Sequence, residues 1–347
     1  MGSRVTIKDV AREAGVSIST VSRVMNNSAP VEEAMRLRVL DTMDRIGYMP
    51  NEVARSLKNQ ESTLIAYVVS NTADPFFTNI SRAIEEVLYL HGYRLINCST
   101  NFSKDREQSI LSALQQQRVK GIIINTVGSN DENVAAISQQ VPMVLSNRNV
   151  QSPNFHGDFV DYDNVGGVKK LVDHLVKLGH TRIGLINGPL YITTAMERYA
   201  GFCGGMRENT IEICEDYPYV LQSVNTFGMQ DGYDLTARMM SKEDRPTAII
   251  AANSEMALGA MQYCRTHDIR IPEDLSLCCF GDIAHNDLMY VNITHVRTDF
   301  VALGTRIGEM LLERSKKAGK SDSQLPNREA RFDTPFILGE STAPPRE

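Results

Sequence analysis

Ser17, Ser19, Thr20, Ser22, Arg23 and Asn26 place six hydrogen-bonding side chains within ten residues, and the apolar residues that would back them, Val21 and Val24, fall three apart. On a helix this spacing gives one packed face and one polar face. Such a face can recognise nucleic acid: a guanidinium like that of Arg23 reaches the edge of guanine with two parallel bonds, while hydroxyls and amides hold backbone phosphates. Just upstream, Ile7, Val10, Ala11 and Ala14 recur at helical spacing, Gly15 breaks the run, and Ser17 is a natural N-cap for a second helix through Met25. A small residue where two helices meet and a glycine at the turn are what a helix-turn-helix requires, and Ala11 and Gly15 supply them. A plain helical hairpin with a solvated Ser/Arg face has the same pattern, so these residues alone leave both readings open.

A second set of residues is spread over the rest of the chain. Phe76, Phe77 and Phe227 are aromatic walls of the kind that cover the C–H surface of a sugar, and Arg148, Arg198 and Asn253 are forked groups that bind hydroxyls or a carboxylate. Plainer alternatives exist: Phe76 and Phe77 follow Pro75 at a helix start, where core packing is common, and the arginines serve equally as surface ion-pair partners. Other chemistry is not indicated. His156, Asp158, Asp161 and Asp163 lack the spacing of metal ligands on a helix, and Gly319-Lys320-Ser321 lacks the upstream glycine of a phosphate loop. No nucleophile and base stand in a recognisable arrangement. The six cysteines, Cys98, Cys203, Cys214, Cys264, Cys278 and Cys279, never form a C-x-x-C pair and read as free, buried thiols. Neither a metal, a cofactor nor catalysis is expected.

The elements that must position these groups change character along the chain. The first sixty residues read as short helices: after Asn26-Asn27-Ser28-Ala29-Pro30, a third amphipathic stretch places Met35, Val39, Met43 and Ile46 on one face and ends at Gly47. From Leu64 onward, apolar runs alternate with helical segments: Leu64–Val69, Ile80–His91, Tyr93–Asn97, Gly121–Ile124, Met143–Leu145, Ile183–Ile186, Ala248–Ala251 and Leu275–Phe280. This alternation predicts an α/β fold with parallel sheets covered by helices on both faces. There are too many strands for one ordinary sheet, so two Rossmann-like lobes are expected, with a ligand held where strand C-termini face each other.

Composition agrees with two or three domains: 347 residues, 42% apolar and 22% charged. No stretch approaches the roughly 18 apolar residues of a membrane span, and the N-terminus lacks a secretory apolar segment, so a cytoplasmic protein is expected. The net charge of −6 is uneven, since residues 1–60 carry nine Lys/Arg against seven Asp/Glu, leaving −8 for the remainder. An acidic body with a mildly basic head suits a protein that touches DNA at one end.

The segment Ala14-Gly15-Val16-Ser17-Ile18-Ser19-Thr20-Val21-Ser22-Arg23-Val24-Met25-Asn26 resembles the headpiece of the lactose/galactose repressor (LacI/GalR) family of bacterial transcription regulators. That resemblance implies that Ile18, Ser19 and Arg23 face bases in the major groove and that Thr6, Ser17, Thr20, Ser22 and Asn26 bind backbone. An aliphatic side chain at Ile18 would favour a thymine methyl. Gly47-Tyr48-Met49-Pro50-Asn51-Glu52-Val53-Ala54-Arg55-Ser56-Leu57-Lys58 is similar to the family's hinge segment, with Asn51, Ala54 and Leu57 as expected DNA contacts. About eight residues cannot hold a helix alone in water, so this piece should order only on DNA beside a second copy, with Ala54 and Leu57 in the minor groove and Leu57 wedging a base step.

The resemblance extends through Asn71–Phe77, Asp161–Gly167, Leu178-Gly179-His180, Glu197–Phe202, Met256–Ala260 and Gly339–Pro345. It implies a headpiece over 1–49, a hinge helix and linker over 50–61, a first lobe over 62–161 and 293–324, and a second lobe over 162–292 and 325–347. The body would be the two-lobed, periplasmic-binding-protein-like effector domain, with Phe76, Phe77, Arg148, Arg198, Phe227, Asn253 and Asp282 at the effector. Two departures bear on the ligand: Asn253-Ser254 stands where relatives carry Asn-Asp, and Phe280-Gly281-Asp282 where they carry Phe-Asp-Asp. Losing the first aspartate of that pair beside two arginines should make the pocket more positive and favour an anionic effector such as a sugar acid or sugar phosphate, with a neutral sugar as the alternative. The expected protein is therefore a homodimeric regulator of carbohydrate-utilisation genes, probing a near-palindromic DNA operator, with no trailing leucine heptad to build a tetramer. A solute-binding protein on the same body would need export and no headpiece. An enzyme on the same scaffold would want glycines after the first strand, where Ser70-Asn71-Thr72 has none.

Overall fold

A computed structural model of the chain describes residues 5–26, 29–48, 62–213, 217–224, 226–317 and 325–346. The chain divides into two units, Met1–Ser62 and Thr63–Glu347.

The first unit contains α1 (Ile7–Ala14), α2 (Ile18–Asn26) and α3 (Glu33–Arg45). Thr6 begins α1, its backbone N–H and its hydroxyl both donating to the Asp9 carboxylate at 3.0 and 2.7 Å. Gly15 ends α1 in the left-handed region (φ 65°, ψ 35°), and the next N–H, that of Val16, returns to the Ala11 carbonyl at 3.0 Å. Two residues later Ser17 caps α2, its Oγ accepting the Thr20 N–H at 3.1 Å. Val10, Ala11 and Ala14 of α1, Val21 and Val24 of α2, and Val39 of α3 make the core, with Met43 and Ile46 packed against it. Met35 is half-buried. The expected hinge helix, with Asn51, Ala54 and Leu57, lies outside the described residues.

In the second unit the chain runs through β1 (Leu64–Val69), α4 (Pro75–Leu90), β2 (Arg94–Ser99), α5 (Lys104–Gln116), β3 (Gly121–Ile124), α6 (Asp131–Ser138), β4 (Met143–Ser146) and β5 (Asp158–Tyr162). It then crosses to α7 (Asn164–Lys177), β6 (Ile183–Asn187), α8 (Thr193–Glu208), β7 (Val220–Gln222), α9 (Met229–Met240), β8 (Ala248–Ala251), α10 (Ser254–Thr266), β9 (Ser276–Phe280) and β10 (Thr294–Val296). It finishes with α11 (Phe300–Lys317), β11 (Glu329–Phe332) and β12 (Phe336–Ile337). Two six-stranded sheets result, ordered β11-β5-β4-β3-β1-β2 and β12-β10-β9-β8-β6-β7. Strands β3, β4, β6, β8 and β9 are buried along their whole length, which explains sequences that are apolar but for Ser146, Asn187 and Ser276 at strand ends: helices cover both faces. Among the described pairs, only β10 with β12 is antiparallel, an edge that the parallel expectation did not include.

The later crossings differ from the expected ones at 293 and 325. Thr294–Val296 is buried and pairs with β9, so it belongs to the second lobe, and the chain returns to the first lobe only afterwards, where α11 packs beside α4 and over β3, β4 and β5. Glu329–Phe332 pairs in parallel with β5 of the first lobe, and only β12 lies again in the second. The reason is physical. β10 and β12 are too short, and β11 too charged on its outward side, to announce their sheet by periodicity. Among the described residues, no helix is long and apolar enough to cross a membrane.

Candidate functional site: a polar helix face and an interlobe cavity

On α2, residues 18, 19, 22, 23 and 26 fall within an arc of about 140° at 3.6 residues per turn. Val21 and Val24 are buried on the opposite side. Ser19 and Arg23 are exposed, and Ile18, at 46% exposure, is an aliphatic side chain held in water at the start of the helix. The Ser17 hydroxyl also lies 2.7 Å from Ser19 Oγ and 2.8 Å from Thr20 Oγ1, so a ring of hydroxyls surrounds the helix N-terminus. Thr6 is exposed and close in sequence to this face, and Ser22 is half-buried. The side chain of Asn26 lies outside the described residues.

In the body, a cavity of about 110 Å³ lies between the two sheets' strand ends. Phe76, Phe77, Arg148, Arg198, Phe227, Asn253 and Asp282 all line it. The topology explains the convergence: Arg148 follows β4, Asn253 follows β8, and Asp282 follows β9, each just past a strand C-terminus, as ligand-facing residues of open α/β sheets do.

Both arginines are buried, and neither forms an ion pair with a carboxylate among the described residues. Arg148 Nη1 donates to the Thr126 carbonyl at 3.1 Å, its guanidinium lies over the Phe227 ring at 5.3 Å, and its buried Nε has no partner. Arg198 Nε donates to Asn164 Oδ1 at 2.9 Å and Nη1 to the Ala252 carbonyl at 2.6 Å, with the guanidinium 4.1 Å over Phe280. Burial pushes the pKa of each down to about 10, and for Arg148 the nearby Arg198 charge adds to the effect.

The loop that holds Arg148 is itself held by a carboxylate. Glu107, wholly buried on α5, accepts from Val127 N at 2.7 Å, from Asn130 Nδ2 at 3.2 Å and from Thr126 Oγ1 at 3.2 Å, and burial pushes its carboxyl up. On the other lobe, Asn164 presents Oδ1 to Arg198 while its Nδ2 donates to Asp161 Oδ2 at 2.8 Å and Glu197 Oε2 at 2.9 Å. Burial first, then the Glu197 charge, drives the Asp161 carboxyl well up.

Not every expected contact points at a ligand. Asn253 caps α10, its Oδ1 accepting Met256 N at 2.8 Å, and its Nδ2 donates to the Phe227 carbonyl at 2.9 Å, so both ends of its fork are engaged. Asp282 Oδ2 accepts from the Thr298 N–H at 2.5 Å and hydroxyl at 2.9 Å, and Oδ1 lies 3.5 Å from His295 Nε2. Burial alone would raise the Asp282 pKa, but those donors hold it below its ordinary value. Phe77 is both core and cavity wall.

Sequence reasoning missed Asp74, Phe102, Asn147, Glu255 and Phe280, which line the same cavity. Asp74 and Glu255 alter the expected charge. The glycine at 281 does not leave the pocket simply positive, because Asp74, Glu255 and Asp282 line it together with the two arginines. Asn147 was signalled by nothing local; it is buried, sits at φ 65°, and its Oδ1 has no hydrogen-bond partner. Gly281 itself sits at φ 98°, where a side chain would be strained although Thr298 would stand 3.8 Å from a Cβ. Three aspartates near the lobe entry have structural partners: Asp158 binds Arg314 and Arg328, Asp161 binds Asn164, and Asp163 caps α7 through Gly166 N at 2.8 Å.

Comparison with known proteins bears on both sites. The pattern described as "Bacterial regulatory proteins, lacI family" matches residues 6–51, and that of the "Periplasmic binding protein-like domain" matches 172–342. The chain is 33% identical to the HTH-type transcriptional repressor PurR of Haemophilus influenzae (strain PittEE) over 89% of its own length and 90% of that protein. It is 30% identical to the HTH-type transcriptional regulator DegA of Bacillus subtilis (strain 168) over 98% and 99%. Among solved structures it is similar to a lac repressor dimer bound to operator and the anti-inducer ONPF, with a TM-score of 0.83 and 28% identity, over 98% of this chain and 100% of that one.

Proposed function

Because this chain belongs to the lacI family of bacterial regulatory proteins, as a DNA-binding transcription repressor and not an enzyme, we propose that its repression is set by a small, oxygen-rich effector bound in the interlobe cavity. The observation that carries this reading is the pair of buried guanidiniums, Arg148 and Arg198, facing one cavity without a carboxylate partner among the described residues. A buried charge left unpaired is costly, and a site that keeps two of them is built for acceptor atoms that arrive from outside. A sugar acid or sugar phosphate supplies such atoms, with Phe76, Phe77 and Phe227 as apolar walls, so the regulated genes are those for using a carbohydrate-derived compound.

The exposed polar face of α2 supports the DNA side of this reading. Ile18, Ser19 and Arg23 meet base edges in the major groove, and Thr6, Ser17, Thr20, Ser22 and Asn26 meet the backbone. Asn51, Ala54 and Leu57 of the linker complete the contact, Leu57 in the minor groove. The protein acts in the cytoplasm as a homodimer on a two-fold operator, because one headpiece makes too few contacts to be selective against a genome of competitors.

The test couples both ends. Mobility shifts with an operator selected from random DNA should respond to acidic sugars, and titration calorimetry should rank gluconate and glucose 6-phosphate above glucose. Arg198→Gln should erase that ranking while leaving operator binding intact without effector. Equal affinity for the neutral and acidic sugars in the unmodified protein would count decisively against an acceptor-directed pocket.

A further inference from the structure

Two arginines and two carboxylates face the cavity, and although the Arg148 and Asp74 charges favour each other, no ion pair joins the two sets among the described residues. Arg148 and Arg198 are held back by the Thr126 and Ala252 carbonyls and stacked on Phe227 and Phe280. Asp74 at the start of α4 in the first lobe and Glu255 in the first turn of α10 in the second line the same space. Asp74 spends Oδ1 on the Phe76 N–H at 2.9 Å, and among the described residues neither carboxylate has an ion-pair partner. Burial pushes both carboxyls up; at Asp74 the Phe76 N–H and the Arg148 charge offset part of the rise, whereas at Glu255 the Asp74 charge adds to it. Asp282 is not part of this group, since Thr298 and His295 already satisfy it.

Two like-charged carboxylates on opposite lobes oppose closure of the cleft unless something positive comes between them. A purely anionic ligand would satisfy the arginines and worsen this repulsion. Asn147 adds a third demand, because its buried and unpartnered Oδ1 also needs a donor. We propose that the effector is amphoteric: its acid or oxygen-rich end meets Arg148 and Arg198, and a protonated amine lies between Asp74 and Glu255, as in an amino-sugar acid. This rests on the cavity being the effector site. The amine then bridges the lobes, so that binding and closure are one event.

Calorimetry on the full chain with four matched probes tests it: glucose, gluconate, glucosamine and 2-amino-2-deoxygluconate. The probe carrying both charges should bind about tenfold or more tighter than either singly charged one, the gain expected of one charge-assisted contact. Asp74→Asn with Glu255→Gln should remove the gain from the amine and leave the affinity for gluconate unchanged or improved. Asparagine keeps the helix cap and glutamine keeps the shape, and an unchanged melting temperature without ligand confirms that the doubly substituted protein is folded. If gluconate binds as tightly as its amino derivative and Arg198→Gln abolishes both, the amphoteric ligand is wrong and the cavity assignment stands. If no probe binds, or binding survives Arg198→Gln, the cavity assignment falls and takes this inference with it.

Discussion

Arg198 is oriented by groups that are neutral where they touch it. Its Nε rests on Asn164 Oδ1, and the Asn164 amide is fixed in that sense because its Nδ2 has the Asp161 and Glu197 carboxylates to satisfy. Asn164→Asp turns a donor into a third carboxylate in a buried cluster, and should destabilise the fold by about 3 kcal/mol, read as a lower urea midpoint, and weaken effector binding with it. Asp158 is the converse case, a wholly buried carboxylate bound by Arg314 Nη2 at 2.6 Å and Arg328 Nη2 at 2.7 Å. Burial alone would raise its pKa, but the two arginines outweigh burial and hold it below its ordinary value. A depressed carboxyl contributes stability that is complete above its unfolded pKa and is lost as pH falls through the folded one. Asp158→Asn should therefore cost about 3–5 kcal/mol at neutral pH by leaving Arg314 unpaired, and should flatten the acid limb of stability against pH. Much of the pocket was legible because phenylalanines and arginines announce their chemistry by type. Asp74 was not, because an aspartate before Pro75 at a helix start reads first as a cap, which it also is.

At the scale of elements, the headpiece was readable almost residue by residue. Helix spacing, the Gly15 stop and the Ser17 cap are local signals, and α1 ends and α2 begins where they direct, although α2 runs one residue past the expected Met25 to Asn26. Gly15 is there for its backbone, since a Cβ would meet nothing within 4 Å. Gly15→Ala should cost about 1 kcal/mol through the left-handed conformation alone, seen as roughly fivefold faster amide exchange in α1 and α2 with the body unaffected. The long buried strands were equally plain, whereas β10, β11 and β12 were assigned by their partners and not by their own two to four residues. Strand membership in a shared sheet is a non-local fact, and no window of sequence contains it.

For the whole molecule, charge is the property most easily read from sequence and most easily tested. A first unit with a surplus of +2 beside a remainder of −8 is expected to meet DNA through a few phosphates. Operator affinity should fall steeply with salt, linearly on logarithmic axes with a slope of about −0.9 per neutralised phosphate, and removing Arg23 should relax base preference more than it changes that slope. Operator binding that ignored ionic strength would contradict this division of labour. The pairing of Glu329 with Phe159 has a further consequence. A ribosome emits β5 long before β11, so the first lobe waits with one bare strand edge until nearly all of the second has emerged. The nascent chain cannot finish its domains in the order in which they are translated, and chaperone dependence during synthesis should concentrate on that unfinished edge.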